Sequence, residues 1–434
     1  MVRIKCDANP NMLINLPEPV LGVLLYGTKS NLFNGAALGN QVCNEIKRLG
    51  IQVSQRAFDF LTVSLAVTAA DTFSKRDITA DGWTREFELA ISVSDPDAWG
   101  PLRSILETAL QFLSGDIWHI DIQGGGPDIP TPHPRHSRTR FIPLAGRNCV
   151  SLYSGGLDSS IAALDLLFHG HNPVLVSHSY RGDKSVQKDV SNYFPRITSK
   201  FSSNLHPTIC LPAETSMRTR SLNFLAFGAV VASAISATSG NQQVDLLIPE
   251  NGLISLNAPL TPRRLGSLST RTTHPYFLSL IQKLFVGLEI PAVIKNPYKF
   301  RTKGEMLSEC FDQANLELLA SRTVSCGKWK RTGQQCGRCV PCLIRRASFY
   351  AAGTPDSTLY RRMDLRRVYE DGNEGDDLLA LMLAVNKSRR GNNNAWLALS
   401  GPLPELPEER ARYLDVFQRG LHEVGAYLES QGLL

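Results

Sequence analysis

The stretch SLYSGGLDSS, Ser151 to Ser160, brings small, flexible and polar residues together in a way that suits phosphate. Gly155 and Gly156 let the backbone approach a ligand closely and present several N–H groups in a concave nest. Ser154 and Ser159 carry hydroxyls that donate to phosphate oxygens. The stretch lies between a predicted strand, Cys149 to Tyr153, and a predicted helix, Ser160 to Phe168 ending at Gly170. The helix N-terminus adds partial positive charge, which favours a pyrophosphate. Asp158 repels bare phosphate, so its expected partner is a bound Mg²⁺ or an amide. The spacing is neither the Walker A pattern nor the nucleophile elbow of the serine hydrolases. A Ser/Gly turn that merely caps a helix is common in isolation. The strand–turn–helix setting weighs here for the phosphate reading.

A second constellation is Cys326-x9-Cys336-x2-Cys339-x2-Cys342. Four thiolates at this spacing suit tetrahedral Zn²⁺, and they leave no open position, so the site reads as structural. Between Arg322 and Arg346 there are seven Lys/Arg and no Asp/Glu, which complements the negative charge of a four-thiolate zinc centre. An iron–sulfur cluster is the competing metal, since C-x-x-C-x-x-C also suits one. The other five of the nine cysteines (Cys6, Cys43, Cys149, Cys210, Cys310) are scattered. That is no disulfide framework, and a reducing cytoplasm is the expected location.

The elements that must hold these motifs read as α/β. Phe58 to Val67 and Phe87 to Val93 are strand candidates, Pro101 to Leu113 a helix and Trp118 to Ile122 a strand. Gly124 to Pro134 is too rich in Gly and Pro for a helix or a central strand, and the basic run PRHSRTR follows it. Beyond it, short apolar strands (Cys149 to Tyr153, Val174 to His178, His206 to Leu211, Val244 to Ile248) alternate with helices (Ser160 to Phe168, Lys184 to Ser199, Leu222 to Ala237). This alternation implies a parallel sheet covered on both faces. Residues 274–320 look mostly helical, and Glu408 to Gln431 is amphipathic at helical spacing.

At 434 residues the chain is long enough for several domains. Its 43% hydrophobic and 20% charged residues exclude disorder. A net charge of +6 over this length supplies no dense basic stripe, so direct nucleic-acid binding is not expected. No run reaches a membrane span; Phe224 to Ala237, the longest apolar-rich stretch, reads as a buried helix. MVRIKCDANPNM has no long apolar core, so no signal peptide is expected.

SGGLDS resembles the SGGxDS signature of the PP-loop ATP pyrophosphatases, which cleave ATP between the α and β phosphates and adenylate a carboxyl or carbonyl oxygen. Paired with the cysteine cluster, it resembles the QueC family, the 7-cyano-7-deazaguanine synthases. Three further stretches are similar to that family: CGRCVPCLIRRASFYAAG (Cys336 to Gly353), TRSLNFLAFGA (Thr219 to Ala229) and TKGEML (Thr302 to Leu307). The resemblance covers roughly residues 147–353. Ordinary members are about half this length and lack the first 140 residues, and Leu246 to Pro275 is longer than expected there. The larger layout is similar to the QueC-like proteins of bacterial antiviral islands, with the QatC proteins of the Qat system nearest and a CBASS-associated relative beside them.

The resemblance implies a PP-loop (adenine nucleotide alpha hydrolase-like) parallel sheet with helices on both faces, over residues 147–353 with the four-cysteine zinc site. Residues 1–123 are then an added N-terminal α/β domain for docking a partner, 124–146 a linker, and 354–434 a helical C-terminal extension. It implies ATP, Mg²⁺ and Zn²⁺, and adenylation of the 7-carboxy-7-deazaguanine carboxylate with release of pyrophosphate and AMP. Amine attack then yields an amide, and a second ATP the nitrile. The added domain opens another route, in which a protein encoded by the same defence system supplies the amine and the reaction stops at the amide. By matched position, Ser154, Gly155, Gly156, Leu157, Asp158 and Ser159 hold the pyrophosphate and its Mg²⁺, Arg220 and Asn223 orient the nucleotide or the acid, and Lys303 neutralises charge on the α-phosphate.

Several residues carry two readings. Arg345 and Arg346 contact substrate or screen the zinc thiolates. Glu250 and Asn251, in PENG, read a base edge or form a turn with Gly252 at positive φ. His169 and His171 cap a helix end, whereas His178 ends a strand on the usual ligand edge of an α/β sheet. The alternatives for the whole chain are a PP-loop tRNA-modifying enzyme and a non-catalytic nucleotide-binding module.

Overall fold

The computed structural model describes residues 1–28, 35–134, 140–179, 182–196, 199–209, 213–262, 271–371 and 374–434. Two five-stranded sheets, each wholly parallel, carry the fold. The first comprises β1 (Val2–Asp7), β2 (Val20–Gly27), β3 (Ala36–Gly39), β4 (Glu86–Ser92) and β5 (Ile117–Gln123), in the order β3-β2-β1-β4-β5. The second comprises β6 (Cys149–Leu152), β7 (Pro173–His178), β8 (Ser199–Ser203), β9 (Val244–Leu247) and β10 (Ala292–Lys295), in the order β10-β9-β6-β7-β8. The α/β reading, with a parallel sheet at the glycine-rich turn, therefore holds.

Between the sheets lie helices Gln55–Phe73 and Arg220–Ser239, packed on each other. One apolar core runs from Ile4 and Leu89 through Phe60 and Phe227 to Val174. Helix Gln55–Phe73 corrects the strand expected at Phe58 to Val67. Every residue from Ala57 to Phe73 is buried, so the segment has no exposed face and its periodicity carries no helix signal. Helix Arg220–Ser239 is long and apolar enough to cross a membrane, but most of it is buried inside the protein. The first sheet differs from the second in one respect. Its outer face is open over β4 and β5, with Glu86, Glu88, Ile117, His119 and Asp121 exposed on alternate residues. In the second, β7 is buried throughout.

Two further expectations shift. The helix expected to run to Ser199 spans only Asp183–Ser191, and the next strand is Ser199–Ser203 rather than His206 to Leu211. Pro195 breaks the helical path. Beyond β8, Thr208 instead bridges to Ala37 and so ties the second sheet to the edge of the first. The stretch 274–320 contains helices Pro275–Gly287, Lys303–Glu309 and Gln313–Ala320 but also β10. Gly124 to Pro134 has neither helix nor strand. Most of the basic run after it (135–139), the middle of the long 246–275 segment (263–270) and Cys210 lie outside the described residues. The chain ends in helices Leu365–Glu370, Asp376–Arg389, Asn393–Ala398 and Pro407–Ser430, which share an apolar cluster with helix Val340–Ala351.

Candidate active site

The chain leaves β6 at Leu152, turns through Ser154–Gly156 and enters helix Leu157–Phe168. Gly155 has φ +79°, a conformation costly for any residue with a Cβ. A Cβ on Gly156 would lie 3.1 Å from Ser154 Oγ and 3.3 Å from the Val324 carbonyl. Ser154 Oγ accepts from the Gly156 N–H at 3.2 Å and lies 3.2 Å from Ser159 Oγ. Leu157 points its side chain into the apolar core and anchors the helix start. The turn is braced from outside by Val324, whose N–H donates to the Gly155 carbonyl at 3.2 Å.

Ser154 and Ser159 line a cavity of about 600 Å³, together with Gln187, Arg220, Phe224 and Trp329. Ile248, Pro249 and Glu250 close it from the end of β9. It thus sits beyond the C-terminal ends of β6 and β9, where strand order reverses and open α/β sheets bind ligands.

Asp158 stands behind this turn, buried. One carboxylate oxygen accepts from Lys303 Nζ. The other accepts from Asn251, at 2.7 Å from the side chain and 3.2 Å from the backbone. Burial pushes this carboxyl up, but the Lys303 ammonium and the surrounding hydrogen bonds outweigh it and hold the pKa at about 2. Glu250 beside it moves the other way: burial first, then the Asp158 charge, push its carboxyl well up. Both Asp158 oxygens are therefore engaged by protein groups, one by the Lys303 ammonium and the other by the Asn251 amide.

Lys303 is delivered by a strong helix start. Thr302 is the N-cap, and its hydroxyl and the Glu305 carboxylate complete a capping box. From the last helix, Glu423 accepts from the Thr302 hydroxyl and from the Gly304 N–H, the latter at 3.2 Å. Asn251 caps the short helix Gly252–Leu256 by accepting from the Ile254 N–H at 3.1 Å. This corrects the turn reading, because Gly252 is not among the positive-φ glycines. It is glycine because a Cβ would lie 2.6 Å from the Lys299 carbonyl.

Of the other expected residues, Arg220 reaches the cavity, where its guanidinium bonds Asp183 at 2.6 Å. Asn223 does not. It is fully buried, and its amide bonds Thr68 at 2.8 Å and Ser64 at 2.8 Å, tying the two central helices together. Arg345 is also fully buried. It donates to Thr323 Oγ1, the Ala320 carbonyl and Thr358 Oγ1, so it shapes the chain leading to the cysteines and is not in this cavity's wall. Arg346 donates to the carbonyls of Gly337 and Met363 around the same knuckle. Both arginines therefore brace the chain around the cysteines. His169 is the C-cap residue of helix Leu157–Phe168. His178 packs edge-on against Phe224 and Phe227 and is not in the cavity wall.

The four cysteines Cys326, Cys336, Cys339 and Cys342 are buried, with all four sulfurs within 4.8 Å of one another. Cys336 and Cys342 are 3.9 Å apart, as are Cys326 and Cys339. Four sulfurs bound to Zn²⁺ at about 2.3 Å lie about 3.8 Å apart, so the set fits a tetrahedral ion. The cluster adjoins the cavity, for Cys326, Gly327 and Trp329 line it.

Asp183, Gln187, Phe224 and Trp329 are not legible as site residues in the sequence. Each lies within four residues of an expected element or motif, but nothing local says which face turns inward.

No protein-family model matches the chain. It is similar to curated proteins called 7-cyano-7-deazaguanine synthase. With that of Ectopseudomonas mendocina it shares 39% identity over 69 residues, 15% of this chain and 29% of the relative. With that of Cupriavidus pinatubonensis it shares 56% over 41 residues, 9% of this chain and 18% of the relative. With that of Saccharophagus degradans it shares 24% over 251 residues, 50% of this chain and 99% of the relative. The chain thus spans less than a third of the first two, and nearly all of the third at low identity.

Proposed function

We propose that this protein is an ATP-dependent synthase of the QueC type that adenylates a 7-deazaguanine carboxylate. The observation that carries the reading is the SGGLDS turn opening at the switch point of a parallel sheet onto a cavity beside a four-cysteine cluster. The similarity to 7-cyano-7-deazaguanine synthases supports it. The substrate carboxylate attacks the α-phosphorus of ATP, the bond to the β-phosphate breaks, and pyrophosphate leaves. An amine then attacks the acyl carbon and AMP leaves with its electron pair.

The chain's own groups supply the electrostatics. The Gly155 N–H, the Gly156 N–H on exchanging Ser154 Oγ for a phosphate oxygen, and the hydroxyls of Ser154 and Ser159 receive the pyrophosphate. Arg220 orients the nucleotide or the acid. Lys303 reaches the α-phosphate by exchanging its Asp158 partner for a phosphate oxygen, and Asp158 sets where the ammonium waits. Zn²⁺ at the cysteines would supply only rigidity. Mg²⁺ accompanies ATP as substrate, and no step is assigned to it.

In this reading the amine belongs to a partner protein, docked by residues 1–123, and the product is an amide. The resemblance of the chain's layout to the QueC-like proteins of antiviral islands motivates that choice over free ammonia. The test follows AMP and pyrophosphate from ATP with and without 7-carboxy-7-deazaguanine. Acid-dependent AMP release is expected, and ADP with phosphate would overturn the reaction class. Efficient formation of free nitrile from ammonia would overturn the protein acceptor.

A further inference from the structure

The first sheet unit buries four charges together. Arg85 and Asp116 are fully buried, and Asp71 and Arg76 nearly so. Asp116 accepts from Arg76 at 2.8 and 2.9 Å and from Arg85 at 2.8 Å. Arg85 also donates to Asp71 Oδ1 at 2.6 Å. Two arginines and two aspartates are formally neutral, and a buried set of this kind needs each lone pair satisfied.

The last of those lone pairs is met from the other unit. Asp71 Oδ2 accepts from the Thr219 N–H and from Thr219 Oγ1, both at 2.9 Å. Thr219 is the N-cap residue of helix Arg220–Ser239. A capping threonine ordinarily accepts from the N–H groups of its own helix. Here no such bond is made, and the hydroxyl donates outward. The Asp71 carboxylate instead holds the N-cap residue itself, beside the positive end of the helix.

The chain before Thr219 hangs from the same edge. The Glu214 N–H donates to the Thr72 carbonyl at 2.8 Å, and the Arg76 N–H donates to Glu214 Oε2 at 3.0 Å. Glu214 Oε1 in turn accepts from the N–H groups of Thr215 and Ser216 at 2.8 Å. Arg218 stacks 4.3 Å over the ring of Trp83. Thr215, Ser216, Met217, Arg220 and Ser221 form one wall of the cavity. That wall is therefore suspended from residues 71–83 of the first unit.

We infer that the first sheet unit is a working part of the cavity, and that Asp71 is a positioning residue that sets Arg220 through Thr219. The inference deepens the proposed reaction, and only its kinetic arm rests on it. The test compares Thr219→Val, which removes the hydroxyl donor and keeps the Asp71–Arg85 pair, with Thr219→Ser, which restores the donor. In the 434-residue chain without nucleotide, Thr219→Val is expected to speed hydrogen exchange at amides 215–225 about tenfold, the factor for one hydrogen bond to a charged group. In the AMP-release assay it is expected to raise KM for ATP by about the same factor with kcat nearly unchanged, as the loss of binding shared by the ground and transition states does. Thr219→Ser is expected to match the wild type in both.

Ser92→Ala controls for general destabilisation. It removes a buried bond to Asp7 (2.7 Å) in the same sheet and is no part of the wall. Unchanged exchange in Thr219→Val, or equal effects in Ser92→Ala, would overturn the inference. A wild-type protein that releases no AMP would overturn the reaction, while the exchange arm would still decide the role of Asp71.

Discussion

Lys303 and Asp158, 145 residues apart in the chain, form one ion pair with 7% of each side chain exposed. The pair joins the first turn of the helix behind the glycine-rich turn to the first turn of helix Lys303–Glu309. Neither residue is in the cavity wall, yet both are fixed relative to it.

Breaking this pair is expected to affect stability and turnover together. Asp158→Ala leaves a buried ammonium without its carboxylate, which costs about 3–5 kcal/mol. Lys303→Ala leaves the carboxylate with Asn251 and Glu250 and costs a similar amount. In a urea double-mutant cycle the two are expected to be non-additive by about 1–3 kcal/mol. Each single variant is also expected to lower AMP release by about a hundredfold or more, the scale of losing a charge-stabilising donor. An additive cycle would mean that the pair is not coupled.

The pH dependence of stability is expected to trace partly to Glu423. Burial, outweighing its hydrogen bonds from Thr302 and Gly304, pushes its carboxyl up from 4.5 to about 7. A folded value above the unfolded one means that the folded protein holds the proton more tightly. Its contribution is full below about pH 4.5 and is lost as pH rises through about 7. Asp158 has the opposite sign, with a contribution present above about 4 and lost as pH falls toward about 2. Thermal melts from about pH 5 to 8 are expected to show a falling Tm in the wild type and a flatter curve in Glu423→Gln. Parallel curves would remove Glu423 from the account.

Metal removal is expected to reach the cavity. The cysteine cluster is continuous with Val324, which braces Gly155, and with Trp329, which lines the cavity. Elemental analysis should find about one zinc per chain. Chelation, or Cys339→Ser, should lower Tm and weaken nucleotide binding, measured by calorimetry. Full nucleotide affinity in a zinc-free protein would separate the two sites. Iron with sulfide in place of zinc would change the metal but not the coupling.

Arg345→Lys is expected to behave as a structural change. The guanidinium fork spans Ala320, Thr323 and Thr358, and an ammonium cannot reproduce that geometry. Loss of stability by about 1–3 kcal/mol is expected, with KM for the deazaguanine acid unchanged. A selective rise in that KM would return Arg345 to the substrate.

The motifs are legible because their chemistry is local. SGGLDS needs only its own backbone and the helix behind it to form a nest, and three of the four cysteines lie within seven residues. The strands that alternate buried with exposed residues are readable for the same reason: Phe87, Leu89 and Ile91 are buried while Glu86 and Glu88 are not. Helix Gln55–Phe73 passes for a strand because it is buried on every side, and an element without a polar face shows no period.

By itself, then, the sequence determined the glycine-rich turn, the four-cysteine cluster and the parallel α/β class, each set by residues close along the chain. Only the tertiary structure decided that Asn223 joins two helices, that Arg345 braces a loop, and that Asp71 in the first sheet unit holds Thr219 at the start of the helix of Arg220 in the second. These depend on which groups meet across 100 residues or more, or on which way a side chain turns within a packed layer. Burial made the outcome sharp, because a polar group taken out of water must find its partner wherever the fold brings one.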